Sequence, residues 1–268
     1  MVRRCRGWAL AGALAIAAGA LWAQREFRVY PNMEGADSGS ELPADYQVPG
    51  EFVMGRLMYS NGDRRRPGMS WTVDYPRGDR TFAKLMRRLT TASVRSVEQP
   101  VSLDDGDDVY NWPFLIVGLP GSWDLNDAEA AKLRDYLLRG GFLMADSFFG
   151  SEEWEGFFNG LRKVFPDRPV VELPDDHPIF HVLYELGQRK QVSNYRSLRD
   201  RSLPYRNDGA DPHWRAILDD DGRVMVVICF NNDLGDSWQW ADAPDYPQGD
   251  SNLGIRLGIN FAVYAMTH

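Results

Sequence analysis

The sequence predicts an α/β domain: an open, mostly parallel sheet covered by helices on both faces, with an antiparallel hairpin at one edge. Three features point there. Beyond residue 50, strand-like and helix-like segments alternate. The runs at 114–119 and 142–145 are apolar without polar interruption, and Asp219-Asp220-Asp221-Gly222 joins two late strand-like runs. Alternation calls for crossover helices on a parallel sheet, and unbroken apolar strands are those buried on both sides.

Residues 1–23 read as a secretory signal peptide. Arg3, Arg4 and Arg6 precede an uncharged apolar run ending at Trp22, and Ala23 offers a small residue for cleavage. The expected destination is therefore the periplasm or the exterior. If the segment stayed uncleaved, it would be the chain's membrane contact. Residues 24–50, rich in Gly, Pro, Ser and acids, read as a linker, and 51–268 as a single domain.

Within that domain, 52–59 and 71–75 are short, aromatic and apolar, and Pro76 closes the second; both read as strands. Asp79 is placed to cap a helix in which Phe82, Leu85, Met86 and Leu89 share one face and Lys84, Arg87 and Arg88 lie outside. After the strand at 114–119 comes a Pro120-Gly121 turn. Asn126 and Glu129 then form a capping box that opens a helix stopped by Gly140-Gly141. The next buried strand ends at Asp146. Ser151, followed by Glu152 and Glu153, starts another helix, and 170–173 is a short strand. The hairpin runs at 214–218 and 223–230 are followed by a final helix from about 252 to 266. That helix is apolar nearly all round, with Gly254, Gly258 and Ala262 as a close-approach row.

Composition excludes several functions. With 44% hydrophobic and 25% charged residues the 268-residue chain is globular rather than disordered, and its net charge of −8 speaks against a nucleic-acid backbone binder. Loss of the signal's three arginines leaves 27 Lys+Arg against 38 Asp+Glu and a single cysteine, Cys229. One cysteine forms no internal disulfide, and its place in an apolar run marks it as a buried small hydrophobe.

Several stretches together resemble the domain of unknown function 4159 family. They are Arg56-Leu57-Met58-Tyr59, Asp74-Tyr75-Pro76, residues 133–149 (LRDYLLRGGFLMADSFF), 164–173 (VFPDRPVVEL), 177–181 (HPIFH), 222–236 (GRVMVVICFNNDLGD) and 258–268 (GINFAVYAMTH). The resemblance implies a class I glutamine amidotransferase-like, flavodoxin-like fold. It also implies a cell-envelope partner of the MoxR-type ATPase or von Willebrand factor A-domain kind. The chain departs from that pattern twice. It has no cysteine at a strand-to-helix turn to serve as amidotransferase nucleophile, and it shows Asp146-Ser147 where the family tends to paired aspartates.

Ligands of open parallel sheets sit at the carboxyl ends of the strands. Those ends carry Asp146, Ser147, Asn231, Asn232, Asp233 and Asp236, with Trp123, Trp154 and Trp238 nearby. A cleft lined by carboxylates, amides and indoles suits a sugar or another polar small molecule. The plainer reading of the same residues is Asx turns and packed indoles. Asp146 is the candidate base, metal ligand or ligand acceptor, and equally a loop brace. Ser147 is a poor nucleophile-elbow match, because Phe149 stands where a small residue belongs. His177 and His181 have zinc-like spacing, with Glu172, Asp175 and Asp176 as further donors. Pro178, however, belongs at a first helical position, which leaves His177 outside the helix. Arg56, Tyr59 and Asp74 read as a buried ion-pair group joining strands.

These observations lead to an expected noncatalytic binding or scaffold component of an exported cell-envelope system, with no cofactor. The rival is a hydrolase using Asp146, metal-assisted, on a polar or carbohydrate-like substrate.

Overall fold

A computed structural model describes residues 26–32, 41–60, 70–200, 203 and 205–268; the signal segment and part of the linker lie outside these. Seven strands form one sheet: β1 (Gly55–Met58), β2 (Gln99–Ser102), β3 (Phe114–Gly118), β4 (Phe142–Asp146), β5 (Val171–Glu172), β6 (His213–Leu218) and β7 (Val224–Phe230). Their order is β2-β1-β3-β4-β7-β6-β5. The first five in that order run parallel, while β6 is antiparallel to both β7 and β5. The expected architecture is therefore present, with the hairpin at the expected edge.

Helices cover both faces. The side chains of β3 and β4 alternate between two cores, Phe114, Ile116, Phe142 and Met144 on one side and Leu115, Val117, Leu143 and Ala145 on the other. The first face packs α1 (Arg77–Leu89), α5 (Leu234–Gln239) and α6 (Gln248–Thr267). The second packs α2 (Asp127–Leu138) and α3 (Gly150–Val164). A short α4 (Tyr195–Arg199) follows the β5 loop. In α6, Gly258 lets the helix ride against aromatic rings: a Cβ there would lie 2.6 Å from both Phe82 and Trp238. No helix among the described residues is long and apolar enough to cross a membrane.

Three sequence expectations need correction. Residues 71–75 are not a strand: Ser70–Thr72 is a single 3-10 turn, and Asp74 has φ 59° before a cis Tyr75–Pro76 bond. Trp71 and Tyr75 are buried all the same, and a short aromatic run does not distinguish a packed turn from a strand. The strand that pairs with β1 is β2, whose Pro100 and polar ends suit an edge position. Asp79 does not cap α1. The helix begins at Arg77 after Pro76, and the Asp79 carboxylate turns inward to Arg56. Ser151 does not cap α3 either: Phe149 holds that position, and the Ser151 amide donates to Asp208. The capping box of α2 forms as expected, with the Asn126 side chain accepting from Ala128 and Glu129 while Glu129 accepts from the Asn126 amide.

Candidate functional site

The carboxyl edge of the central strands is built from buried carboxylates. Asp146 ends β4 beside Gly118 of β3, and it is fully buried. Its two oxygens accept the backbone amides of Leu234 (3.1 Å) and Gly235 (2.8 Å) at the start of α5. Burial and then the neighbouring charge of Asp233 push its carboxyl up to about 7, against the pull of those amides.

Ser147 turns the chain out of β4 with φ 64°. Its Oγ sits 2.8 Å from Asp233 Oδ1, 3.2 Å from Asp74 Oδ2 and 3.3 Å from Asp146 Oδ2. Asp74 and Asn231 also hold left-handed conformations, at φ 59° and 60°. Strain of this kind persists only where surrounding contacts enforce it. Here the contacts are plain. Asp233 accepts from Asn194 Nδ2 and from the Asp236 amide, and Asp236 from the Tyr195 amide, Asn194 and Trp240.

Oxygens of Asp74, Asp233 and Asp236 lie within 4.8 Å of one another, close enough to meet a single cation. The chain itself already uses all three carboxylates as acceptors, so the cluster ties α4 and α5 to the sheet edge. Beneath it lies Arg56, buried on β1, whose guanidinium forks onto Asp79 at 2.5 and 3.2 Å. Arg56 takes Asp79 as its hydrogen-bonded partner, and the charge of the expected partner, Asp74, also acts on it. Tyr59 donates to the carbonyls of Gly118 and Leu119.

Beside this buried group a cleft of about 530 Å³ opens at the ends of β3 and β4. Its walls are the turn after β3 (Leu119, Gly121, Ser122, Trp123, Asp124), the first turns of α3 (Glu152, Glu153, Gly156, Asn159), and Ser70, Arg206 and Asn207. The turn and the helix touch closely, because a Cβ on Gly156 would lie 2.0 Å from the Gly121 carbonyl oxygen. Arg206 links cleft and cluster, donating to the Ser147 carbonyl and to Glu153, both at 2.9 Å.

Asp146, Ser147, Asp233 and Asp236 are thus brought together, but inside the protein. Asn231 accepts from the Gly150 amide and donates to the Asp211 carbonyl. Asn232 accepts from the Val192 amide and donates to the Phe230 carbonyl. Both act as loop braces. Trp123 lines the cleft while its indole donates to the Phe157 carbonyl. Trp154 points away from it, packed on Phe230 under the Arg215 guanidinium. Asp74, Glu152, Glu153, Asn159, Arg206 and Asn207 complete the region. Glu152 and Glu153 were legible only as helix-dipole partners, and Arg206 and Asn207 carried no local signal.

His177, His181 and Glu172 do not converge. His177 caps the 3-10 turn Pro178–Phe180 by accepting from the Ile179 amide, as Pro178 implies. His181 is held by Glu185 and the Asp175 carbonyl, and Glu172 by Arg215 and His213. Cys229 is buried in β7, where burial and then Asp146 raise its thiol well above the ordinary range. That setting leaves it inert as a nucleophile.

A family model described as a domain of unknown function (DUF4159) matches residues 53–266. No curated protein matches the chain.

Proposed function

The chain belongs to the DUF4159 family, and we propose that it is a noncatalytic binding component of an exported bacterial cell-envelope system. The ligand is a polar small molecule or cell-wall sugar fragment, held in the cleft between the β3 turn and α3. One observation carries this reading: both oxygens of Asp146 are occupied by backbone amides, while the adjacent open cleft is lined by hydroxyls, amides and carboxylates. The buried carboxylates shape the cleft and do not face it. The three-layer architecture and absent nucleophile fit a class I glutamine amidotransferase-like scaffold that has lost its chemistry. The signal-like residues 1–23 and the family resemblance are what favour an envelope ATPase or von Willebrand factor A-domain partner.

The test is thermal unfolding and calorimetric titration of the protein with cell-wall sugar fragments. A ligand at about 100 times its Kd adds roughly 2.7 kcal/mol of stability. Glu152→Ala, exposed on the cleft wall, is expected to abolish the shift while lowering the ligand-free melting temperature only slightly, through loss of a first-turn carboxylate of α3. If no fragment produces a shift in either protein, the binding reading fails.

One observation favours a second reading. A carboxyl poised near 7 is what a general acid or base needs at neutral pH, so the rival is a hydrolase using Asp146. Turnover of a bound fragment that disappears in Asp146→Asn while the fragment still binds would establish it in place of the first.

A further inference from the structure

Arg95 is a partly buried guanidinium that meets no carboxylate. Arg56, Arg80, Arg189 and Arg206 are paired with Asp79, Glu98, Asp175 and Glu153, whereas Arg95 forms no ion pair among the described residues. Its hydrogen bonds run from Nη2, to the Glu98 carbonyl at 2.7 Å and to Gln99 Oε1 at 2.8 Å. Nε is buried without a partner, and Nη1 has no acceptor among the described residues. Both acceptors are neutral, so the charge is drawn out of water without a counter-ion. Burial lowers the guanidinium below its ordinary range against the charge of Glu98, which Arg80 already engages.

The Arg95 side chain lines a cavity of about 270 Å³. Val53, Arg95 and Trp112 of its lining precede β1, β2 and β3, which places the cavity at the amino ends of these parallel strands, opposite the edge that carries Asp146. Phe27, Tyr46, Val53 and Trp112 supply apolar walls. Arg95 Cζ lies 5.4 Å from the Phe27 ring centre and 5.6 Å from that of Trp112, so two rings hold the guanidinium in place. The backbone fixes it further. The Arg95 amide donates to the Phe52 carbonyl, and a Cβ on Gly50 would lie 2.3 Å from that amide nitrogen.

Charge and shape together choose the ligand. Aromatic walls around one charged group suit a small organic ion. One uncompensated cation matches one negative charge, and the exposed Glu26 at the rim repels a second. A carboxylate carries a single charge at neutral pH, whereas a phosphate monoester carries about two. We propose that this cavity binds a small aromatic monocarboxylate, its carboxylate accepting from Arg95 and its ring lying among Phe27, Tyr46 and Trp112. The site is separate from the sheet-edge cleft and stands whether or not that cleft binds a ligand.

The experiment is calorimetric titration of the protein with benzoate, alongside benzamide as the uncharged isostere and phenyl phosphate as the dianion. Saturable binding of benzoate is expected, about tenfold tighter than either comparator, the worth of one hydrogen bond to a charged group. Arg95→Gln should abolish it. Phe27→Ala, at a half-buried ring outside the strands and helices, carries the test should Arg95→Gln not fold, and should weaken benzoate about fivefold by removing one wall. Glu152→Ala, in the other cleft, should leave benzoate binding unaltered. The proposal is overturned if benzoate does not bind, or if benzamide or phenyl phosphate binds as tightly. It is likewise overturned if Phe27→Ala or a folded Arg95→Gln binds as wild type does, or if Glu152→Ala abolishes binding.

Discussion

Arg56 shows what a single residue does when its charge is placed inside a sheet. Its side chain is 1% exposed and that of Asp79 is 0%. Burial pushes the Asp79 carboxyl up, and Arg56 draws it back. Removing one partner of such a pair strands the other, whereas replacing both with packed apolar groups can be nearly neutral. Arg56→Met is thus expected to destabilise the protein by about 3–5 kcal/mol. The double change Arg56→Met with Asp79→Leu should recover most of that loss, as read by denaturant unfolding. A double variant no more stable than the single would place the cost in packing around β1 and α1, not in the stranded carboxylate.

At the scale of elements, the contact that matters most is between α3 and the Pro120–Ser122 turn, because together they form the cleft. Gly156 faces the Gly121 carbonyl so closely that any side chain must move backbone, not a flexible tip. Gly156→Ala is expected to cost about 1–3 kcal/mol, the usual range for overpacking. It should also weaken ligand binding by separating the two walls. Calorimetry and titration of one preparation check both; an unchanged affinity with lowered stability would put the ligand elsewhere. The corrected elements teach the same lesson at this scale. Asp79 and Ser151 have the residue type of a helix cap, but Arg56 claims the Asp79 carboxylate and Asp208 claims the Ser151 amide. Long-range partners outweighed local capping preference.

The whole molecule responds to pH through the buried carboxylates at the sheet edge. Native Asp146 titrates near 7, against about 3.9 for an unfolded aspartate. Between those values the native chain holds a proton that the unfolded chain has released. The resulting stabilisation is complete below pH about 4 and is lost as pH rises through 7. Burial and then the charge of Asp233 set that balance against the pull of the Gly235 and Leu234 amides, and Asp79 and Glu98, raised by burial, act in the same direction. His177, which burial lowers, opposes them. Urea unfolding at pH 5.5 and pH 8 should therefore show a fall in stability for wild type and a smaller fall for Asp146→Asn. Equal falls in the two proteins would locate the proton on another group.

Much of the architecture was legible because it rests on local rules. Unbroken apolar runs mark strands buried on both faces, as at β3, β4 and β7; the Asn126–Glu129 box marks a helix start, and Asp219–Gly222 a hairpin. The sequence alone thus determined the α/β class, the hairpin edge, the buried cysteine and the identity of Asp146 as a strand-end carboxylate. Tertiary structure alone decided what that carboxylate does. Ser147 meets Asp74 across 73 residues and Asp233 across 86, and no periodicity or spacing rule reaches that far. Whether a polar strand-end residue faces solvent or a neighbouring amide depends on which distant loop closes over it. Closure of α5 over Asp146, and of the turn around Arg206 over Ser147, turned an apparent open site into a buried brace beside a cleft. The energy of satisfying buried amides and carboxylates together sets that arrangement, and it exists only once the loops have met.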